Sequence, residues 1–307
     1  MPYSLHQIDS SWVLESEQLG TKDKFWLRAT EEHALPSSSV WLFKEPTLET
    51  GQHWAEKIAY EISRKMGVLA PRVELAEFNG IKGSITENFT TDNYDLFHGN
   101  QILAGSDSSY EPGQRFSQND HTLERIIEAL RHTFPDDKFS QQACQKFASY
   151  LVLDALICNV DRHHENWGVL RKNNSDGTWR GRLAPSFDHA SSLGRELKDD
   201  ASKQKRRRYL DELGIAKYLE RGRCPIFMDV TGRHGPSPIR LVERASKDPR
   251  FQAFFSSALE LIERVSQPDF EKIIAEIPQN WMTDTAREFS LSLLSETHRR
   301  LTLPRNE

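Results

Sequence analysis

The most informative stretch of this 307-residue chain is Asn159-Val160-Asp161-Arg162-His163-His164-Glu165-Asn166. It follows residues 151–158, the most apolar run of the sequence, which we expect to end a buried helix that begins near Ser140. Two β-prone runs, 167–171 and 178–183, come next and are separated by an Asn-Asn-Ser-Asp-Gly turn. The pattern predicts a polar loop held between a buried helix and a β-hairpin.

A second acidic residue, Asp188, stands a short distance beyond the predicted hairpin. The hairpin would therefore bring Asp188 back to Asp161 and Asn166, at a fixed separation. Phosphoryl transfer needs one carboxylate to orient and deprotonate an acceptor hydroxyl, and an amide plus a second carboxylate to hold Mg²⁺ on the phosphates of ATP. Hard oxygen ligands of this kind suit Mg²⁺. The spacing predicts a phosphotransferase that uses ATP and Mg²⁺.

The first 89 residues supply the remaining parts of such a site. We expect strands at 25–29 and 40–44, a helix over 51–66, and two strands joined by the turn dipeptide Asn79-Gly80. Lys44 ends the second strand, and Glu56 lies near the start of the helix. A strand lysine held by a helix glutamate is the pair that binds the α- and β-phosphates in kinases.

The character of the sequence changes after Phe89. Residues 90–120 are rich in Ser, Asp, Asn and Gly, and helical patterns dominate beyond them. We therefore predict an α+β protein with a two-lobed, protein-kinase-like fold. Its N-lobe, an antiparallel sheet with one helix, would span 1–89, and its mainly helical C-lobe would span 90–307.

The composition fits a globular protein of the cytoplasm. Charged residues make up 28% and aromatic residues 10%, and the net charge is −5, so neither disorder nor a broadly basic nucleic-acid binder is indicated. We expect no direct DNA binding. The three cysteines form no C-x-x-C pair, which favours a reducing compartment. We expect no membrane span, and the N-terminus lacks a signal-peptide pattern.

The run from Asp161 to Asn166 resembles the D-R-H-x-x-N catalytic loop of phosphatidylinositol 3/4-kinases. More closely, residues 159–170 resemble the catalytic segment of HipA-like serine/threonine kinases, a family that includes bacterial toxins. The resemblance extends to 41–44, 56–71 and 187–193, and is that of a compact, kinase-only member.

This resemblance implies a role for each candidate residue. It makes Asp161 the catalytic carboxylate, with His163 near the transferred phosphate. It implies the following nucleotide and metal contacts: Lys44 on the phosphates, Glu56 holding Lys44, Asn166 and Asp188 on Mg²⁺, and Glu87 and Phe89 at the hinge that meets adenine.

The sequence departs from the usual kinase pattern before Lys44, where no G-x-G-x-x-G occurs. The phosphate loop would instead be the polar stretch 36–39. Its Ser37, Ser38 and Ser39 resemble the loop serines that some family members autophosphorylate, so we regard them as candidate autophosphorylation sites.

The resemblance also suggests partners. It implies a protein substrate with a Ser or Thr acceptor, such as a translation component, and a toxin-antitoxin role with an antitoxin-like regulator. The basic run 203–208 is typical of a solvated loop. An acidic or phosphate-bearing partner is the alternative interpretation of that run.

Three other functions stay open. The first is a phosphoinositide-type lipid kinase, and the second is a non-catalytic ATP-binding regulator. The third is a metal phosphohydrolase that uses His163, His164 and His189 with the two aspartates. This third hypothesis leaves Lys44 unexplained and lacks the helical spacing of common metal-binding motifs.

Overall fold

A mixed β-sheet occupies the N-terminal part of the protein. The computed structural model describes residues 1–17, 24–29, 35, 39–114, 118–198 and 204–303. Within these ranges the sheet has six strands, in the order β1-β5-β6-β4-β3-β2. They are β1 (Leu5–Gln7), β2 (Val13–Glu17), β3 (Lys24–Arg28), β4 (Val40–Lys44), β5 (Val73–Phe78) and β6 (Ile81–Glu87).

The sheet is larger than the sequence predicts. Strands β3 to β6 lie where we expect them and pair in antiparallel fashion, whereas β1 and β2 were not predicted. Strand β1 pairs with β5 in parallel, so the sheet is not purely antiparallel. These two strands are short and carry little alternation of apolar and polar residues, which is why periodicity does not reveal them.

Helix α1 (Gln52–Met66) packs against β5 and β6 with the predicted apolar stripe, which includes Trp54, Ile58 and Ile62. The helix ends at Gly67, whose φ of 79° is left-handed and allows its N–H to bond the carbonyls of the last turn. The first buried positions of α1 include Glu56, which faces the sheet instead of solvent.

The turn between β5 and β6 is formed by Asn79 and Gly80, with φ of 50° and 80°. Positive φ at both central residues is the geometry of a tight two-residue hairpin whose twist matches that of the strands. The register Phe78↔Ile81 confirms the predicted hairpin. This turn fixes the position of β6, the strand that ends next to Phe89.

The rest of the described chain is mainly helical. It contains a second sheet of three strands in the order β7-β8-β9, with β7 (Asp95–His98), β8 (Gly168–Asn173) and β9 (Trp179–Leu183). The α-helices are α2 (Gly99–Ser106), α3 (Leu123–Thr133), α4 (Asp137–Ile157), α5 (Lys205–Arg208), α6 (Ile215–Arg221), α7 (Pro238–Ala245), α8 (Gln252–Leu259), α9 (Gln267–Ala275) and α10 (Asp284–Thr302). A π-helical turn spans Tyr209–Leu213, and 3₁₀ turns span Ser10–Trp12, Glu260–Arg264 and Gln279–Trp281.

Helix α4 is the centre of the C-terminal core. It begins earlier than expected, because Asp136, and not Ser140, accepts hydrogen bonds from the backbone N–H groups of the first turn. Its last two turns are buried on every side, and α3, α7, α8 and α10 pack around it. The three cysteines are buried and unpaired, as the sparse spacing predicts.

A strand-rich N-terminal part followed by a helical C-terminal part confirms the predicted α+β class. The boundary between lobes at residues 89 and 90 stays a prediction. Among the described helices, none combines the length and hydrophobicity needed to cross a bilayer.

Candidate active site

The end of α4 and the β8–β9 hairpin place the predicted residues at one end of the second sheet. Helix α4 stops at Cys158, whose φ of 53° is left-handed and turns the chain out of the helix. The loop 159–166 follows, and the hairpin then returns the chain, with Ala184 N donating to Gly168 O at 2.9 Å. Asp161, Asn166 and Asp188 therefore occupy the same region, as the sequence predicts.

A buried ion pair holds this loop in place. The Arg162 guanidinium donates through Nε to Asp154 Oδ2 at 2.7 Å and through Nη2 to Asp154 Oδ1 at 2.8 Å. Asn159 Nδ2 also donates to Asp154 Oδ1, at 2.8 Å. Burial alone would lower the pKa of Arg162, but the Asp154 carboxylate raises it above its ordinary value. The aspartate on the apolar helix is thus the anchor of the loop.

The same guanidinium joins the loop to the Asp188 segment. Arg162 Nη1 donates to Asn166 O and to Phe187 O, and Nη2 donates to Ser186 Oγ at 2.9 Å. Neither Asp154 nor Arg162 was predicted as a site residue. The signal was available, since a charged residue inside the most apolar run of a sequence is rarely buried without a partner.

Lys44 connects the N-terminal sheet to Asp188. Its Nζ lies 2.8 Å from Glu56 Oε1 and 3.1 Å from Asp188 Oδ1. Ser84 Oγ on β6 donates to the other Glu56 oxygen at 3.2 Å. Burial would lower the pKa of Lys44, but the carboxylates of Asp188 and Glu56 outweigh it and raise that pKa. The structure thus brings Lys44 and Glu56 together with Asp188, which lies 144 residues after Lys44.

Asp188 has a left-handed backbone, with φ of 60°. The residue after it, His189, is buried and shares a 2.7 Å hydrogen bond between its Nε2 and Ser186 Oγ. Burial lowers the pKa of His189 to about 3, and the nearby Arg162 charge acts in the same direction. His189 is therefore neutral at pH 7, and its ring is held against Ser186, in the segment that leads to Asp188.

Asp161 and His163 line a cavity of about 250 Å³. Its Oδ2 accepts from Ser191 Oγ at 3.3 Å, and Arg195 Nη2 donates to Ser191 Oγ at 3.1 Å. His163 Nε2 lies 4.0 Å from Asp161 Oδ1. Ser191 and Arg195 are contacts that sequence reasoning missed.

Asn166 is oriented by its neighbour. Its Nδ2 donates to the backbone carbonyl of Asp161 at 2.8 Å, so the amide oxygen points the other way. An amide oxygen and the Asp188 carboxylate form a hard-oxygen donor pair of the kind that Mg²⁺ shares with substrate phosphates. These two residues fit the predicted metal.

The predicted hinge lies at the end of β6. Glu87 N donates to Arg72 O and Asn88 N donates to Val40 O, whereas no acceptor in the described chain receives the Phe89 N–H. The Phe89 ring stacks on Phe187 with centroids 5.3 Å apart. Phe89 thus contacts the segment that carries Asp188.

The histidines do not form a metal centre. His164 Nδ1 shares a 2.8 Å hydrogen bond with Tyr110 OH, and His189 is bound to Ser186. Within the residues that the structure describes, no three His, Cys, Asp or Glu side chains are placed to hold an ion together. The geometry gives no support to the phosphohydrolase hypothesis.

Of the three serines in the predicted phosphate loop, Ser39 belongs to the part of the chain that the structure describes. Ser37 and Ser38 lie outside the described residues, and Ser39 Oγ accepts from Trp41 Nε1 at 2.7 Å.

The basic run 203–208 differs from the expected solvated loop. Residues 205–208 form α5, and Arg206 is buried and donates to Gly194 O at 2.9 Å.

Comparison with known proteins points to one family. The family model of the HipA-like C-terminal domain matches residues 18–280. Serine/threonine-protein kinase CtkA of Helicobacter pylori (strain J99) is 28% identical over 167 residues, which cover 54% of this chain and 47% of that protein. The alignment thus spans about half the length of this curated relative.

Two solved structures share the fold. The crystal structure of a Helicobacter pylori proinflammatory kinase, CtkA, gives a TM-score of 0.71 at 20% identity and covers 90% of each chain. HipA of a Shewanella oneidensis MR-1 toxin-antitoxin system, in complex with HipB and operator DNA, gives 0.60 at 12% identity, covering 96% of this chain and 66% of that one. At these identities the similarity shows a shared architecture.

Proposed function

Because the chain belongs to the HipA-like C-terminal domain family, we propose that it is a serine/threonine kinase that transfers the γ-phosphate of ATP to a protein hydroxyl. The observation that carries this proposal is the position of Lys44 Nζ, 2.8 Å from Glu56 and 3.1 Å from Asp188. Active kinases require an ion pair between a strand lysine and a helix glutamate, and an aspartate close by that binds the metal.

The nucleotide would lie between the sheet and the loop 159–166. Lys44 binds the α- and β-phosphates, and Glu56 keeps the ammonium group in position. The Phe89 N–H and the Glu87 carbonyl meet the edge of adenine at the hinge, while the Phe89–Phe187 stack closes one side of the cleft. Asn166 and Asp188 would hold Mg²⁺, which supplies positive charge against the phosphates when bound.

Asp161 orients the acceptor hydroxyl and accepts its proton as the phosphoryl group leaves ATP. Its carboxylate is held by Ser191, and its backbone by Asn159 and Asn166, so its geometry is set before substrate arrives. His163 lies beside it and donates toward the transferred phosphate through Nε2, since its Nδ1 accepts from Glu165 N at 3.2 Å.

The first test is phosphotransfer with Asp161→Asn. The variant keeps ATP binding but loses about 10²- to 10⁴-fold in rate, the usual contribution of a general base. The measurement is label transfer from γ-labelled ATP with Mg²⁺, beside nucleotide affinity. Asp176→Asn, in the exposed hairpin turn, is the matched control and keeps full activity.

The outcomes separate the remaining functions. Full activity in Asp161→Asn would contradict the role of Asp161. Tight ATP binding without transfer to any acceptor would favour the ATP-binding regulator, and transfer to phosphoinositides alone would favour the lipid kinase. Mass mapping of the wild type also tests autophosphorylation at Ser37, Ser38 and Ser39.

The same family supports two proposed partners. The acceptor is a protein, as the name of the CtkA relative states for that kinase. The Shewanella HipA structure contains HipB and operator DNA, so a regulator that restrains a toxin kinase is the second partner we propose for this chain.

A further inference from the structure

Two neighbouring cavities lie beside the candidate catalytic aspartate. Val160 and Arg223 line both of them, Asp161 lines the smaller one of about 250 Å³, and the larger one measures about 540 Å³. We call the two cavities together the basic cleft. Apart from histidines, the basic residues that line it in the described chain are Arg195, Lys205, Arg208, Arg221, Arg223 and Arg233.

The positive charge of the basic cleft is poorly balanced. Among its described lining residues only Asp161 and Glu196 are acidic, and Glu196 accepts a hydrogen bond from Tyr218. A third carboxylate, that of Glu212 outside the lining, lies 3.5 Å from Arg208 Nε. Arg221 donates to Tyr209 OH at 2.6 Å, and Arg223 to two backbone carbonyls, all of which are neutral. On a chain of net charge −5, such a concentration attracts anionic partners.

The basic cleft begins within one side chain of the reacting position. Ser191 Oγ lies 3.3 Å from Asp161 Oδ2, and Arg195 Nη2 lies 3.1 Å from the same Ser191 oxygen. An extended peptide advances about 3.3–3.6 Å per residue. A peptide whose hydroxyl contacts Asp161 would therefore place its neighbouring side chains within reach of Arg195.

We propose that the basic cleft binds the acceptor segment of the substrate protein, and that this segment carries Asp or Glu within about three residues of the acceptor hydroxyl. The inference rests on the proposed kinase function and names its substrate class. Carboxylates fit because arginine guanidinium groups pair with them in a bidentate manner.

A peptide fits the basic cleft better than RNA does. Single-stranded nucleic acids bind to grooves in which exposed aromatic rings stack on the bases. The aromatic residues of the described lining, Tyr209, Tyr218 and Phe227, are each less than 10% exposed. They offer packing for a side chain but no open ring face.

The test compares three fluorescent peptides that share one Ser and differ in its flanks, which are Glu, Gln or Lys. Binding to the full chain is measured by anisotropy, and phosphorylation with Mg²⁺-ATP is measured separately. The Glu-flanked peptide binds about tenfold more tightly than the Gln-flanked one, and this preference weakens with added salt. Arg221→Gln/Arg223→Gln abolishes the preference.

The matched control is Arg240→Gln/Arg244→Gln, which removes two charges from a cavity that shares no described residue with the basic cleft. This control keeps the preference for Glu. The inference would be overturned by equal binding of the three peptides or by a preference for Lys. It would also be overturned if a single-stranded RNA bound more tightly than the Glu-flanked peptide and the Arg221/Arg223 variant lost that RNA binding. Glu-selective binding without phosphorylation would support the inference and contradict the kinase function. Phosphorylation without any preference for Glu would support the kinase function and contradict the inference.

Discussion

Arg162 is completely buried, and its guanidinium contacts four separate groups: Asp154, Asn166 O, Phe187 O and Ser186 Oγ. Removing one partner of a buried ion pair leaves the other charge without compensation, which costs about 3–5 kcal/mol. Arg162→Gln should therefore lower the free energy of unfolding by that amount in urea titrations. Arg162→Lys should cost less, because it keeps the charge but loses the planar set of donors.

The control for this prediction is Arg299→Gln, whose side chain pairs with Glu296 on the surface of α10. Exposed pairs contribute about 0–1 kcal/mol. An Arg162→Gln variant that loses no more stability than Arg299→Gln would show that the buried pair does not hold the loop.

The individual residues show what sequence can and cannot supply. Asp161, Asn166 and Asp188 were predictable because a hairpin between them fixes their separation. The prediction of Lys44 and Glu56 depended on their order along the chain and on the resemblance to a known family. The position of Asp154 in an apolar run indicates a buried partner but does not identify Arg162. The Ser191–Arg195 link follows from no helical or strand periodicity.

Among the elements, the β5–β6 hairpin depends on a single glycine. Gly80 has φ of 80° and open space around the position of a Cβ atom, so Gly80→Ala tests backbone strain without a clash. A left-handed Ala costs about 1–2 kcal/mol. We expect a loss of that size in the free energy of unfolding, measured in urea.

The matched substitution is Gly105→Ala near the end of α2, where the space is also open and φ is not positive. There Ala should stabilise the protein by roughly 0.5–1 kcal/mol, because it favours the helix. Equal effects at the two positions would contradict the left-handed geometry of the turn.

The elements with strong periodicity were the predictable ones. The α1 stripe, the Asn79-Gly80 turn, the β8–β9 hairpin and the long C-terminal helices all carry local signals. Strands β1 and β2 carry weak ones, and their positions in the sheet depend on pairing with distant strands. The start of α4 was misplaced because Ser140 and Asp136 are both good capping residues.

At the scale of the whole molecule, buried histidines should make the protein sensitive to acid. Burial lowers the pKa of His53 to about 4 and those of His121 and His189 to about 3. The unfolded chain binds these protons near pH 6.5 and the folded chain does not, so stability falls as the pH drops from about 6.5 toward 3. Each of these histidines should lower the free energy of unfolding by roughly 2 kcal/mol when the pH drops from 7 to 5.

The measurement is urea unfolding at pH 7 and pH 5. His121 is neutral, because it accepts from Trp167 Nε1 and donates to Pro225 O. His121→Asn should therefore reduce the loss of unfolding free energy between pH 7 and pH 5 by the contribution of one histidine. The exposed His132→Asn should leave the loss unchanged. A loss that is the same in all three proteins would contradict a role for His121.

The contact between Lys44 and Asp188 has a consequence for how a nucleotide enters. An ammonium group has three N–H donors, and in this structure two of them already point at carboxylates. A phosphate that approaches Lys44 therefore meets an ammonium group whose positive charge Glu56 and Asp188 already share. Under the proposed function, nucleotide binding would be an ion exchange: the phosphates would replace Asp188 as a partner of Lys44, and the Asp188 carboxylate would hold the metal ion that accompanies them.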